Sequence, residues 1–144
     1  MIKLIDNWLN RITMYRLILY YVLSLGVVAV VFGFFWLLPY TPASLIVSFV
    51  FVVSVCLVVN AVLARVFRVS SNTESVYAAA LILTLIMRPV QSAGDLLFLG
   101  CASLLAMASK YILAVGRKHI FNPAALGVAL TAIILNQSAN WWVG

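Results

Sequence analysis

Apolar residues run along this chain in five stretches, preceded by a segment of different character. Residues 1–16, MIKLIDNWLNRITMYR, place Ile5, Trp8, Leu9 and Ile12 at helical spacing, with Lys3, Asp6, Asn7, Asn10 and Arg11 filling other positions. That pattern predicts an amphipathic helix lying in the interface plane of a membrane, with Trp8 near headgroup level. A signal peptide does not fit, because the apolar run that follows is too long and no small-residue cleavage site succeeds it. The first span is predicted from Leu17 to Leu38, followed by the uncharged turn Pro39-Tyr40-Thr41-Pro42. The second covers Ser44 to Phe67 and closes on Arg65 and Arg68. At about 1.5 Å per residue, either helix crosses a hydrocarbon core of about 30 Å.

The third stretch breaks this rhythm. Ser75–Met87 is bounded by Ser70-Ser71-Asn72-Thr73-Glu74 before it and by Arg88-Pro89 after it. Thr73 or Ser71 can cap the helix, and Glu74 suits its positive first turn. As a helix this run reaches only about 20 Å; a longer, steeper span past Pro89 would have to carry Arg88 with it. A full span follows from Leu96 to Val115, with Lys110 in its second half. Then comes Gly116-Arg117-Lys118-His119-Ile120-Phe121-Asn122-Pro123, in which Asn122 is a good N-cap and Pro123 takes the favoured first helical position. The last helix, Ala124–Leu135, is again short, and Trp141-Trp142 after it reads as an interfacial anchor. Val76–Met87 and Ala124–Leu135 are both rich in small residues and both carry Thr. Paired short segments interrupted by Pro point to broken helices around a site at the bilayer midplane; two ordinary tilted spans are the other reading.

Composition bounds the class. Of 144 residues, 66% are hydrophobic and 8% charged, too few polar side chains to cover a soluble globule. The expected fold class is therefore all-α: a polytopic membrane helix bundle of about five transmembrane or half-transmembrane helices (residues 17–144) behind an interfacial helix (residues 1–16). The net charge of +6 would suit nucleic acid in a soluble protein, but here the basic residues flank apolar spans and no nucleic-acid partner is expected. With the N-terminus on the cytoplasmic side, Lys3, Arg11, Arg16, Arg65, Arg68, Arg117 and Lys118 all face inward, leaving Arg88 outside and Lys110 within a span. That asymmetry predicts an N-in topology. Cys56 and Cys101 lie inside apolar runs without CxxC spacing, so they read as small buried hydrophobes, and no metal site is expected.

Candidate chemistry clusters around the two short helices. Lys110 is an ionisable group at depth, costing at least about 2.5–3.5 kcal/mol; it either snorkels to the nearer edge or contacts an anion or quinone oxygen. Arg117-Lys118-His119 leads into the helix capped by Asn122, and basic groups beside exposed helix N–H groups suit a phosphate, a flavin edge or a reduced quinone. A positive-inside anchor accounts for Arg117 and Lys118 equally. Glu74 serves a proton or cation path, or simply complements the helix dipole. No Gly-rich nucleotide loop, paired carboxylates or Ser/His/Asp arrangement occurs, and His119, as the only histidine, excludes bis-histidine haem within one chain.

The string Gly116-Arg117-Lys118-His119-Ile120-Phe121-Asn122-Pro123-Ala124-Ala125-Leu126-Gly127, the Asn72–Pro89 block and the spacing of Lys110 between them resemble a family signature. They are similar to the membrane family containing the B component of the sodium-translocating NADH:quinone oxidoreductase and the D component of the Rnf electron-transport complex. The likeness covers roughly residues 70–135, and the F-N-P-A-x-x-G core is its most specific part. The resemblance implies a redox subunit of the bacterial inner membrane that holds FMN or riboflavin and passes electrons toward quinone or partner subunits, coupled to ion movement. It also implies half of a urea-transporter-like fold with repeated broken helices. Glu74, Lys110, Lys118, His119 and Asn122 are the cofactor-binding candidates. The covalent FMN of that family sits on a Thr in an S-G-A-T-like motif, which is absent here, so covalent flavin on these residues is not expected. The chain accordingly reads as the N-terminal part of a longer protein, one fused to a reductase domain, or one that self-associates; a solute channel and a scaffold are the competing functions.

Overall fold

The computed structural model describes residues 13–115, 118–119, 121–137 and 142; for residues 114, 115, 118 and 119 this extends to the backbone alone. Five helices account for nearly all of it: α1 (Met14–Phe34), α2 (Pro42–Val66), α3 (Thr73–Ile86), α4 (Ala93–Ile112) and α5 (Pro123–Leu135). The fold is all-helical apart from a two-residue antiparallel ladder between α4 and α5, in which Ala114 pairs with His119 and Val115 with Lys118. Helices α1, α2 and α4 are long and apolar enough to cross a membrane; α3 and α5 are not. The outward faces are apolar as well, with Val27, Phe34, Val50, Val58, Leu97 and Ile133 all exposed. Contiguous apolar surface of that extent matches a lipid environment rather than water.

The short helix α3 is the centre of the bundle. It touches all four other helices, and Val76, Ala78, Ala80, Leu81, Leu83, Thr84 and Leu85 are buried over most of its circumference, with Ala79, Ile82 and Ile86 half-buried and Tyr77 exposed. A helix apolar on nearly every side needs neighbours on nearly every side. Helix α5 packs along α4 through small residues: Ala102 and Ala106 of α4 face Ala124, Gly127 and Val128 of α5 in one core cluster. A Cβ on Gly127 would stand 2.6 Å from the Ala102 carbonyl oxygen and 2.8 Å from the Ala106 nitrogen. The two backbones are therefore nearly in contact, the arrangement by which small residues replace the hydrophobic effect inside a bilayer.

Helix ends explain where the predicted limits moved. Thr13, whose hydroxyl accepts from the Arg16 N–H, caps α1, so residues 14–16 belong to the first long helix and not to the interfacial segment assigned to 1–16. The remainder of that segment lies outside the described residues. Helix α1 stops at Phe34, four residues before the predicted Leu38. Trp36 turns left-handed at φ 57°, and the Trp36 and Leu37 N–H groups bond back to the Gly33 and Phe32 carbonyls. The same closure ends α2 at Arg68 (φ 51°) and α5 at Asn136 (φ 50°). All three are Schellman motifs without glycine; the ends of α2 and α5 still fall within a residue of the predicted Phe67 and Leu135, and α1 alone stops early.

Helix α3 ends at Ile86 rather than running on through Pro89. Met87 is extended (ψ 146°), and Met87 and Pro89 are fully buried. Non-helical backbone at this depth requires internal partners. Ser48 of α2 supplies one, accepting from the Val90 N–H at 2.8 Å while donating to the Ser44 carbonyl. Trp142 supplies another: its indole N–H donates to the Thr84 carbonyl at 3.0 Å, and its ring meets Tyr40 edge-on. The predicted interfacial anchor at Trp142 is thus partly folded into the bundle, satisfying a carbonyl that the end of α3 leaves open. Trp141 lies outside the described residues.

Candidate functional site

One cluster of polar residues lies where α2 finishes, α3 begins and α4 finishes. Asn72, rather than Thr73 or Ser71, is the N-cap of α3, accepting from the Glu74 N–H at 3.0 Å. Fixing that first turn sends its next two side chains in different directions. Glu74 turns to α1, where its carboxylate takes the Arg16 Nε at 2.7 Å and the Thr13 hydroxyl at 3.3 Å. This is the one ion pair among the described residues. Ser75 turns to α4: its hydroxyl donates to the Asn72 carbonyl and accepts from the Lys110 Nζ at 2.7 Å.

Behind this layer, buried Asn60 of α2 gathers two hydroxyls on its side-chain oxygen, Tyr111 at 2.7 Å and Ser71 at 3.0 Å. Tyr111 also stacks on Phe67, with ring centroids 5.8 Å apart. The loop from α2 to α3 is therefore tied to the last turn of α4. Between them opens a cleft of about 650 Å³, lined chiefly by Phe67, Arg68, Ser71, Asn72, Lys110 and Tyr111. Among the described residues no carboxylate lines it; Glu74 is turned away and held by Arg16. An ammonium carries three donors, and Lys110 has one partner among the described residues. The cleft can accept an anion or a polarised carbonyl oxygen on its lysine, with aromatic faces beside it.

The five sequence-predicted candidates divide between places. Glu74 and Lys110 flank the first turn of α3 without touching each other: one is paired with α1 and the other faces the cleft. Asn122 caps α5, its side-chain oxygen accepting from the Ala124 N–H at 3.1 Å, as the Asn-Pro start predicted. The backbones of Lys118 and His119 form the second strand of the small ladder, and their side chains lie outside the described residues. Asn60, Ser75 and Tyr111 were missed. Asn60 was legible, being the single amide within the second apolar run, and a buried polar side chain in a span is a default pointer to function. The pairing of Arg16 with Glu74 bridges 58 positions and left no local trace. Among the described residues no cluster of three or more His, Cys, Asp or Glu occurs.

A second polar pocket of about 430 Å³ lies at the opposite end, where Met87, Arg88, Asp95, Phe98 and Asn136 bring together the ends of α3 and α5 and the start of α4. Asp95 is committed there to a capping box with Ser92. Helices α3 and α5 thus start at one end of α4 and finish at the other, parallel to each other and antiparallel to it. No protein-family model, curated protein or solved structure matches this chain.

Proposed function

We propose that the chain is a membrane component of a flavin- or quinone-linked electron-transfer complex of the bacterial inner membrane, with its N-terminus cytoplasmic and electron flow coupled to ion movement. One observation carries this reading. The three separate stretches that bear the family resemblance, Asn72–Pro89, Lys110 and Asn122–Gly127, are brought together by the fold as α3, α4 and α5. Two parallel short helices on one full span are the kind of unit that builds a midplane site in a broken-helix, urea-transporter-like half. The redox group, FMN or riboflavin held without a covalent bond, or a quinone, would be completed by a partner subunit, a fused reductase domain or a second copy.

Purification in mild detergent with its native partners, followed by a visible spectrum and a quinone-reduction assay, tests the proposal. Flavin absorbance near the protein's stoichiometry, bleached on reduction, is expected. A colourless preparation with no quinone reduction would sink it. The break in α3 at buried Met87 and Pro89 favours one second reading, a small-solute channel or transporter half, since broken helices of this kind line permeation paths. Solute uptake into liposomes, lost on Lys110→Met, would establish that class instead.

A further inference from the structure

The cleft at the Lys110 end shares its lysine with the electron-transfer reading and adds features that reading does not use. Among the described residues its charged lining, Arg68 and Lys110, is entirely cationic. It sits where α2 and α4 finish and α3 starts, hence at the level where the apolar spans stop and headgroups begin. Tyr15, Phe67 and Tyr111 give it aromatic walls, and exposed Val66 and Ile112 adjoin two of them along the chain. We propose that this cleft binds the headgroup of an anionic phospholipid, with Lys110 and Arg68 on its phosphate and the acyl chains along the apolar flanks.

Three features support a lipid over a soluble anion. A snorkelling lysine extends past its helix end into water, whereas the Lys110 ammonium is drawn to Ser75, in the first turn of α3. Among the described residues its charge faces no carboxylate in the cleft, so an incoming anion meets a half-buried ammonium, with the exposed Arg68 guanidinium beside it. The Ser70 hydroxyl and the amide NH2 of Asn72 line the cleft and suit the glycerol and ester oxygens of a lipid. The aromatic walls and apolar flanks would add nothing to the binding of free phosphate. The surrounding charge agrees: Arg16 and Glu74 cancel.

The test uses the full chain, delipidated in neutral detergent and titrated with phosphatidylglycerol, phosphatidylcholine or inorganic phosphate, with retained lipid counted by native mass spectrometry. Phosphatidylglycerol is expected to be retained and to raise thermal stability, phosphatidylcholine to do neither, and inorganic phosphate to leave bound lipid in place. Lys110→Met removes a charged hydrogen bond and should weaken phosphatidylglycerol about tenfold. Arg68→Gln, at an exposed side chain, should weaken it in the same sense, while Arg65→Gln outside the cleft should not. Equal retention of both lipids, unchanged affinity in the Lys110 and Arg68 variants, or displacement of the lipid by inorganic phosphate would each overturn the proposal. Its outcome is independent of whether flavin is found.

Discussion

Replacing Gly127 by alanine should separate α5 from α4. The added Cβ would lie 2.6 Å from the Ala102 carbonyl oxygen, 2.7 Å from the Ala106 Cβ and 2.8 Å from the Ala106 nitrogen. Two of those three atoms are backbone, so no rotamer change relieves the overlap. Restoring ordinary contact requires α5 to withdraw by roughly 1 Å, which loosens Ala124, Val128 and Thr131 against α4. Overpacking of this kind costs about 1–3 kcal/mol, and the better helix propensity of alanine returns at most about 1 kcal/mol. Gly100 on α4 supplies the internal comparison, because a Cβ there meets only the Phe51 ring at 3.6 Å. Gly100→Ala should be neutral or stabilising by up to about 1 kcal/mol. Gly26→Ala falls between them, meeting the tip of the Phe49 ring at 3.0 Å, where a side chain can yield. Unfolding in mixed micelles, titrated with dodecyl sulfate and followed by far-ultraviolet circular dichroism, should rank the midpoints Gly100→Ala, parent, Gly26→Ala, Gly127→Ala. If Gly127→Ala unfolds at or above the parent midpoint, the close approach of α4 and α5 is wrong.

Other substitutions separate structural roles from binding roles. Asn122→Ala should cost about 1 kcal/mol through loss of the α5 cap, and Asn122→Asp or Asn122→Ser should recover most of it in the same assay. An Asn122→Ser protein that regains stability but loses bound flavin would assign the side chain to the cofactor instead. Asn60→Leu strips the acceptor shared by Tyr111 and Ser71 and should destabilise by about 1–3 kcal/mol. It should also loosen the α2–α3 loop, seen as faster amide exchange over residues 68–72. A double-mutant cycle on Arg16→Gln and Glu74→Gln should return a coupling below about 1 kcal/mol that fades with salt, since the pair is largely open to solvent.

How much of this was readable beforehand depended on whether a feature was local. Each of the five helices is implied by a run of apolar residues and its flanking punctuation. Asn122-Pro123 marks the start of α5 to the residue, because an N-cap and a proline at the first position act within one turn. The shortness of α3 was likewise legible in Arg88-Pro89. What failed was the end of α1, closed at Trp36 by a residue that sequence rules do not expect in the left-handed conformation; α2 and α5, closed at Arg68 and Asn136, end at Val66 and Leu135, within a residue of the predicted limits. The central position of α3 was out of reach too. A short apolar helix looks the same in sequence whether it lies at the rim of a bundle or is enclosed by four neighbours. The polar cluster at the Lys110 end was half legible: Lys110 and Glu74 stand out as charges in apolar surroundings. Their partners Ser75 and Arg16 are ordinary residues, made significant by helices that meet only after folding.

The motif that carries the resemblance is itself largely accounted for by packing. In Asn122-Pro123-Ala124-Ala125-Leu126-Gly127, the asparagine caps, the proline fits the first turn, Ala124 is fully buried and Gly127 lets two backbones meet. Each of these four positions has a mechanical reason to be what it is, so the string specifies how a half-helix leaves its loop and locks to a full span. It does not by itself specify what the half-helix serves. Any protein that builds a broken helix against a small-residue face would need much the same residues, electron carrier or not. The residues that discriminate function are those the packing does not require. Lys110 is the clearest of them: a leucine or methionine would fill its place on α4 with no desolvation cost, yet a lysine stands there facing a cleft with no carboxylate among the described residues. Whatever this protein binds at that end, the charge at position 110 is the feature the fold could do without.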